Sequence, residues 1–276
     1  MTKIDTGTDD LLGHIDGHVA VLSFNRPDRR NALSDAIYEG FARALPLIER
    51  DPSVRVLLIT GEGGAFCAGG DVKGMHARNA SPSSGAPGTS LEDRVGWLRS
   101  RQALVSLALR NLPMPVVAAL PGAAAGAGLS MALAADLRIA AERAVLVTAF
   151  ANVGASGDFG TSWFLPRLVG EAKAKELMFL SPKLTAAEAA ELGLVNRVLD
   201  DEGFDDAAVA FCRELATRAP IALRYMKENV NRALGSNLSD ALDAEASAMV
   251  RTMGTADHRE AAAAFVEKRP PEFAGH

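Results

Sequence analysis

The sequence predicts an α/β fold, and three observations carry that expectation. Apolar runs at 54–60 and 115–120, rich in β-branched residues, read as buried strands. Each leads into glycine, at Gly61 and Gly122, where the chain can turn sharply and approach a ligand closely because no Cβ intervenes. Apolar residues at helical spacing lie between and beyond these runs, as at Ile37, Phe41, Leu45 and Ile48. At 276 residues the chain can bury a substantial core, as one large domain or two.

Composition excludes several classes. A hydrophobic content of 48% argues against disorder. A formal charge of −5 advertises neither nucleic acid nor an anionic membrane surface as a partner. Cys67 and Cys212 form no CxxC pair and no disulfide framework. The N-terminus lacks an apolar signal core, and no run reaches the roughly 18 apolar residues of a membrane span. A soluble cytoplasmic protein is expected.

In chain order, residues 11–15 and 19–24 flank Asp16-Gly17, a short-range hairpin signal. The turn from Asn25 to Leu33 carries Arg26, Arg29 and Arg30, which make it either a solvated loop or a cradle for a phosphorylated ligand. Ser34 is placed to cap the helix that follows. The run at 54–60 passes through Gly61-Glu62-Gly63-Gly64 into Ala65-Phe66-Cys67-Ala68-Gly69-Gly70-Asp71. Such a loop is either a plain turn or a set of backbone N–H donors aimed at a developing negative charge. Asp71 reads as a helix cap that braces this loop. Residues 78–90, rich in Pro, Gly and Ser, read as a loop, and His76 before them as an isolated surface histidine. Helical spacing resumes at 91–110, with Val95, Leu98, Leu104 and Leu107 expected to face the core.

The strand at 115–120 turns at Pro121-Gly122, and a helix is expected over 126–135. Two strand–glycine–helix units of this kind could bracket one oxygen atom between backbone donors. Gly126-Ala127-Gly128 is not a dinucleotide fingerprint, because Met131 occupies the place of the third glycine. Asp136 reads as structural. Asp158 is either the N-cap of a helix over 161–169 or a carboxylate that moves a proton. Thr185-Ala186-Ala187-Glu188 is a capping box, Gly193 a C-cap, and 194–199 a short strand. Helices are expected at about 204–218, 221–234 and 238–253. The histidines show no metal-ligand spacing.

Five motifs, taken together and in order, resemble the crotonase (enoyl-CoA hydratase/isomerase) superfamily. They are Asn25-Arg26-Pro27 with Asn31-Ala32-Leu33, Phe66 to Asp71, Pro115 to Ala119 with Gly122 and Gly126-Ala127-Gly128, Ala186 to Asn196, and Ala264 to Arg269. The resemblance implies a spiral of ββα units over residues 1–200 and a helical oligomerisation segment over 201–276, building trimers or dimers of trimers. It implies an acyl-CoA thioester as substrate, coenzyme A being part of that substrate and no separate cofactor being needed. Gly70 and Ala127 would supply the oxyanion-hole N–H groups. Arg30, Ala32, Ala68, Asp71, Phe265 and Lys268 would contact the coenzyme A thioester, the last two commonly from a neighbouring subunit.

Hydratases of this superfamily use two glutamates, whose places here fall on Ser130 and on or near Phe150. Neither can act as a base near neutral pH. The segment Gly157-Asp158-Phe159-Gly160 instead is similar to the superfamily's double-bond isomerases, most of all the single-aspartate epoxyphenylacetyl-CoA isomerase type. The resemblance therefore implies isomerisation with Asp158 as proton shuttle. A hydratase with an atypical water-activating group and an acyl-CoA-binding protein without turnover remain open at this level.

Overall fold

The computed structural model describes residues 1–71 and 90–276. Its strands, in chain order, are β1 (Thr2–Lys3), β2 (Leu11–Asp16), β3 (Val19–Phe24), β4 (Val56–Gly61), β5 (Val116–Leu120), β6 (Ala124–Ala125), β7 (Leu137–Ala141), β8 (Val145–Val147), β9 (Leu184–Thr185) and β10 (Arg197–Leu199). Seven form one sheet in the order β1-β2-β3-β4-β5-β7-β10, and β6-β8-β9 form a smaller one. Strands β1 to β3 pair antiparallel, whereas β3 to β10 in the large sheet are parallel. The β2–β3 hairpin turns at Gly17-His18, one residue later than expected, because Asp16 still pairs with Val19. Gly17 takes a φ of +60°, which suits the first central position of such a turn.

The helices are α1 (Asp35–Arg50), α2 (Leu91–Gln102), α3 (Ala108–Asn111), α4 (Ala127–Ala134), α5 (Thr161–Val169), α6 (Glu171–Leu180), α7 (Ala186–Glu191), α8 (Phe204–Ala216), α9 (Pro220–Ala233), α10 (Leu238–Met253) and α11 (Ala256–Glu267). The central strands β3, β4 and β5 are covered on both faces, which is why they are almost wholly buried rather than alternating. On one face Leu22, Phe24, Leu57, Ile59, Val116 and Leu120 pack with Ile37, Phe41 and Leu45 of α1 and with α4, whose residues are all buried. On the other, Val19, Val21, Val56, Leu58, Val117 and Ile139 meet Phe204, Ala208 and Cys212 of α8. The division drawn at residue 200 thus falls just before a helix that packs on the sheet.

The expected core face of the 91–110 helix is displaced. Val95 and Leu107 are exposed, Leu98 and Leu104 are half-buried, and Val105 and Leu109 are the residues that are buried. A π-helical turn over Ala103–Leu107 separates α2 from α3, and its extra residue rotates the inward face. No helix among the described residues is long and apolar enough to cross a membrane. The expected loop over 78–89 and His76 lie outside the described residues.

Candidate active site

Parallel strands β3, β4 and β5 release three segments at their carboxyl ends, the usual place for a site in a parallel sheet. Backbone hydrogen bonds sew these segments together. Ala68 N–H donates to the Arg30 carbonyl (2.9 Å) and Leu33 N–H to the Gly69 carbonyl (2.8 Å). Phe66 and Cys67 N–H both donate to the Ala123 carbonyl, and Ala125 N–H returns a bond to the Cys67 carbonyl. Glycine permits the approach. A Cβ on Gly128 would stand 2.2 Å from the Cys67 carbonyl oxygen. One on Gly69, itself at φ +83°, would stand 2.6 Å from the Ala125 oxygen and 3.1 Å from the Ala127 nitrogen.

Arg30, Ala32, Ala68, Gly70, Asp71 and Ala127 consequently belong to one neighbourhood. Gly70 bridges to Leu33, and Ala127 is the first residue of α4, so its N–H points out of the helix end. No described residue accepts from Gly70 N–H or Ala127 N–H. The Arg30 side chain is exposed, Ala32 is buried and Asp71 is half-buried.

Asn31 holds this neighbourhood from inside. It is fully buried at a left-handed φ of +58°, its Nδ2 donates to the Glu62 and Ala65 carbonyls, and its Oδ1 accepts from Arg26 N–H. The sequence carried it only as part of a motif. Cys67, also fully buried, belongs to the loop itself, and burial pushes its thiol up to about 12.

Asp158 does not cap α5 through its side chain; the N-cap is Gly160, without a side-chain bond. Helix capping uses the Asp158 backbone carbonyl, which accepts from Thr161 N–H and Thr161 Oγ1. The carboxylate turns the other way. Its Oδ1 accepts from Gln102 Nε2 at 2.5 Å and from Phe159 N–H at 2.7 Å. Phe159, at φ +49°, stacks on Tyr38 with ring centroids 5.9 Å apart. Burial, and next the Asp158 charge, hold the Tyr38 phenol well above its ordinary range, so it stays protonated. Ser130 Oγ is fully buried, within hydrogen-bond distance of both the Gly126 carbonyl and Thr161 Oγ1. Phe150 is buried.

Phe265 and Lys268 are not brought to this group within one chain. Both are exposed at the end of α11, whose hydrogen bonds run to the C-terminal tail. Asp136 pairs with Lys227 of α9 at 2.7 Å and accepts from Val116 N–H, a structural role. A cavity of about 410 Å³ beside that pair is lined by Trp163, Phe164, Met226 and Val230, and none of the proposed site residues borders it. No group of three or more metal-ligating side chains occurs among the described residues.

Comparison with known proteins places the chain in a family. Residues 14–276 match the enoyl-CoA hydratase/isomerase family. The chain is 39% identical to a 1,2-epoxyphenylacetyl-CoA isomerase of Escherichia coli, over 96% of this chain and 98% of that one. It is 33% identical to a mitochondrial methylglutaconyl-CoA hydratase of Rattus norvegicus, over 93% and 79% respectively. An enoyl-CoA hydratase structure from Polaromonas superposes with a TM-score of 0.87 at 36% identity, covering 96% of this chain and 99% of that one. The chain belongs to the enoyl-CoA hydratase/isomerase family, and its fold is the crotonase fold.

Proposed function

We propose that this protein moves a carbon–carbon double bond in an acyl-CoA thioester. The observation that carries the reading is the carboxylate held at Asp158, in contrast to an apolar Phe150 and a buried Ser130 hydroxyl beside the Gly126 carbonyl and Thr161. Hydration needs a group to activate water and another to protonate carbon, whereas isomerisation needs one base that removes a proton and returns it. Asp158 takes the α proton of a 3-enoyl thioester, and the electron pair passes into the thioester carbonyl to give a dienolate. Gly70 N–H and Ala127 N–H stabilise that oxygen, each such donor being worth on the order of 3 kcal/mol. Asp158 returns the proton at the γ carbon, leaving the 2-enoyl thioester with nothing gained or lost.

Arg30, Ala32, Ala68 and Asp71 serve the coenzyme A thioester from the same loops. Phe265 and Lys268 do so from a neighbouring copy, which fits their exposure on α11. Coenzyme A enters as part of the substrate and no separate cofactor is used. The test is mass spectrometry of cis- and trans-enoyl-CoA thioesters incubated with the protein in deuterated water. Deuterium at the α or γ carbon with a shifted double bond supports the reading. Asp158→Asn should lower that exchange by roughly 10²- to 10⁴-fold. Net addition of water would establish a hydratase instead.

A further inference from the structure

The grip on Asp158 goes beyond what a proton shuttle requires of its own side chain. Gln102 is the last residue of α2, and the π turn over Ala103–Leu107 begins immediately after it. Four residues on, Ser106 is buried and its Oγ donates to the Phe159 carbonyl at 2.8 Å. Gln102 and Ser106 therefore hold consecutive residues of the same loop from one helix. The π turn lets Val105 and Leu109 enter the core while Gln102 reaches Asp158.

The loop itself is in an expensive conformation. Phe159 adopts a left-handed φ of +49° and Gly160 one of +87°, and an aromatic residue persists there only when its surroundings over-determine it. The Tyr38 stack, the Ser106 bond and the Thr161 bonds to the Asp158 carbonyl supply that determination. Within this frame Asp158 Oδ1 receives two N–H donors, while Oδ2 has no partner among the described residues.

We propose that Gln102 is a positioning residue: it fixes one carboxylate oxygen of Asp158 so that the other faces the substrate for proton transfer. The assignment rests on the isomerase reading above. It predicts a kinetic defect without a binding defect, because the Gln102 amide bonds the base.

The experiment compares Gln102→Leu, Gln102→Glu and Asp158→Asn by kcat and KM for double-bond migration, and by deuterium incorporation, on the enoyl-CoA panel. Gln102→Leu should lower kcat by about 10- to 100-fold with KM within about twofold of the unaltered protein, the scale of a misplaced catalytic group. Gln102→Glu keeps the side-chain volume but can donate to Asp158 only while the introduced carboxyl is protonated. Its rate should rise as pH is lowered, whereas a rate that depends on an ionised base falls in acid. A Gln102→Leu kcat within about twofold of the unaltered protein, or a Gln102→Glu profile that follows it, overturns the assignment while leaving Asp158 in place. If Gln102→Leu does not fold, the Gln102→Glu profile decides. Unimpaired exchange in Asp158→Asn, or no exchange by the unaltered protein across the panel, overturns the isomerase reading and the assignment with it.

Discussion

Asn31 and Cys67 show how much at this site depends on single buried atoms. Asn31 donates two hydrogen bonds and accepts a third with no exposed surface, so Asn31→Ala leaves two carbonyls and one N–H without partners. The expected loss is about 3 kcal/mol, read from urea unfolding, since unsatisfied buried polar groups each cost roughly 1–3 kcal/mol. Cys67, with its thiol pushed up to about 12, should resist iodoacetamide in the folded protein at pH 8 and react once unfolded. Neither role was legible in the sequence. Asn31 stood in a motif, but its partners lie 31 and 34 residues away in a loop whose path no local pattern specifies. Gln102 reaches across 56 residues, and nothing in its neighbourhood distinguishes it from any other polar residue of an amphipathic helix.

At the level of elements, local signals read well and phase read poorly. Ser34 accepts from Ile37 N–H and Thr185 forms the reciprocal box with Glu188, because capping chemistry is written within four residues. The face of α2 and α3 could not be read, since a π turn adds a residue that periodicity cannot anticipate. Two predictions belong to the C-terminal elements. Lys227 is 8% exposed against Asp136, so Lys227→Met strands a mostly buried charge and should cost about 3 kcal/mol in a denaturant titration. On α11, hydrogen bonds from Arg269 and then from Glu272 N–H lower the Glu260 carboxyl from its ordinary 4.5 to about 2. Its stabilising contribution is present above about 4.5 and is lost as pH falls through about 2. Proteolysis of the 268–276 tail should therefore accelerate over that interval, and Glu260→Gln should remove the pH dependence.

For the whole molecule, the glycine-bounded apolar runs announced buried strands, while the resemblance supplied the spiral that composition could not. What the chain leaves uncovered is equally informative. Met226 and Val230 of α9 and Leu234 just past its end recur at four-residue intervals and remain exposed, as do Leu238, Leu242, Met249 and Met253 on α10. Stripes of this kind mark interaction surfaces rather than solvated helix faces. We expect the protein to sediment as a trimer or a dimer of trimers, and Val230→Glu combined with Met249→Glu to shift it toward the monomer. If Phe265 and Lys268 act across subunits, the same variant should raise KM for the acyl-CoA thioester at low protein concentration.

The buried contact between Ser130 and Thr161 also constrains how this site could be converted. A glutamate at 130 would place a long acidic side chain into the volume of the Thr161 hydroxyl, at a position with no exposed surface. Introduced alone, Ser130→Glu should reduce folding yield and give no hydration. Shrinking Thr161 first opens space, but loosens the Asp158 carbonyl that Thr161 holds. The two substitutions are thus expected to be epistatic, which the folding yields of the two single variants and the double variant would check.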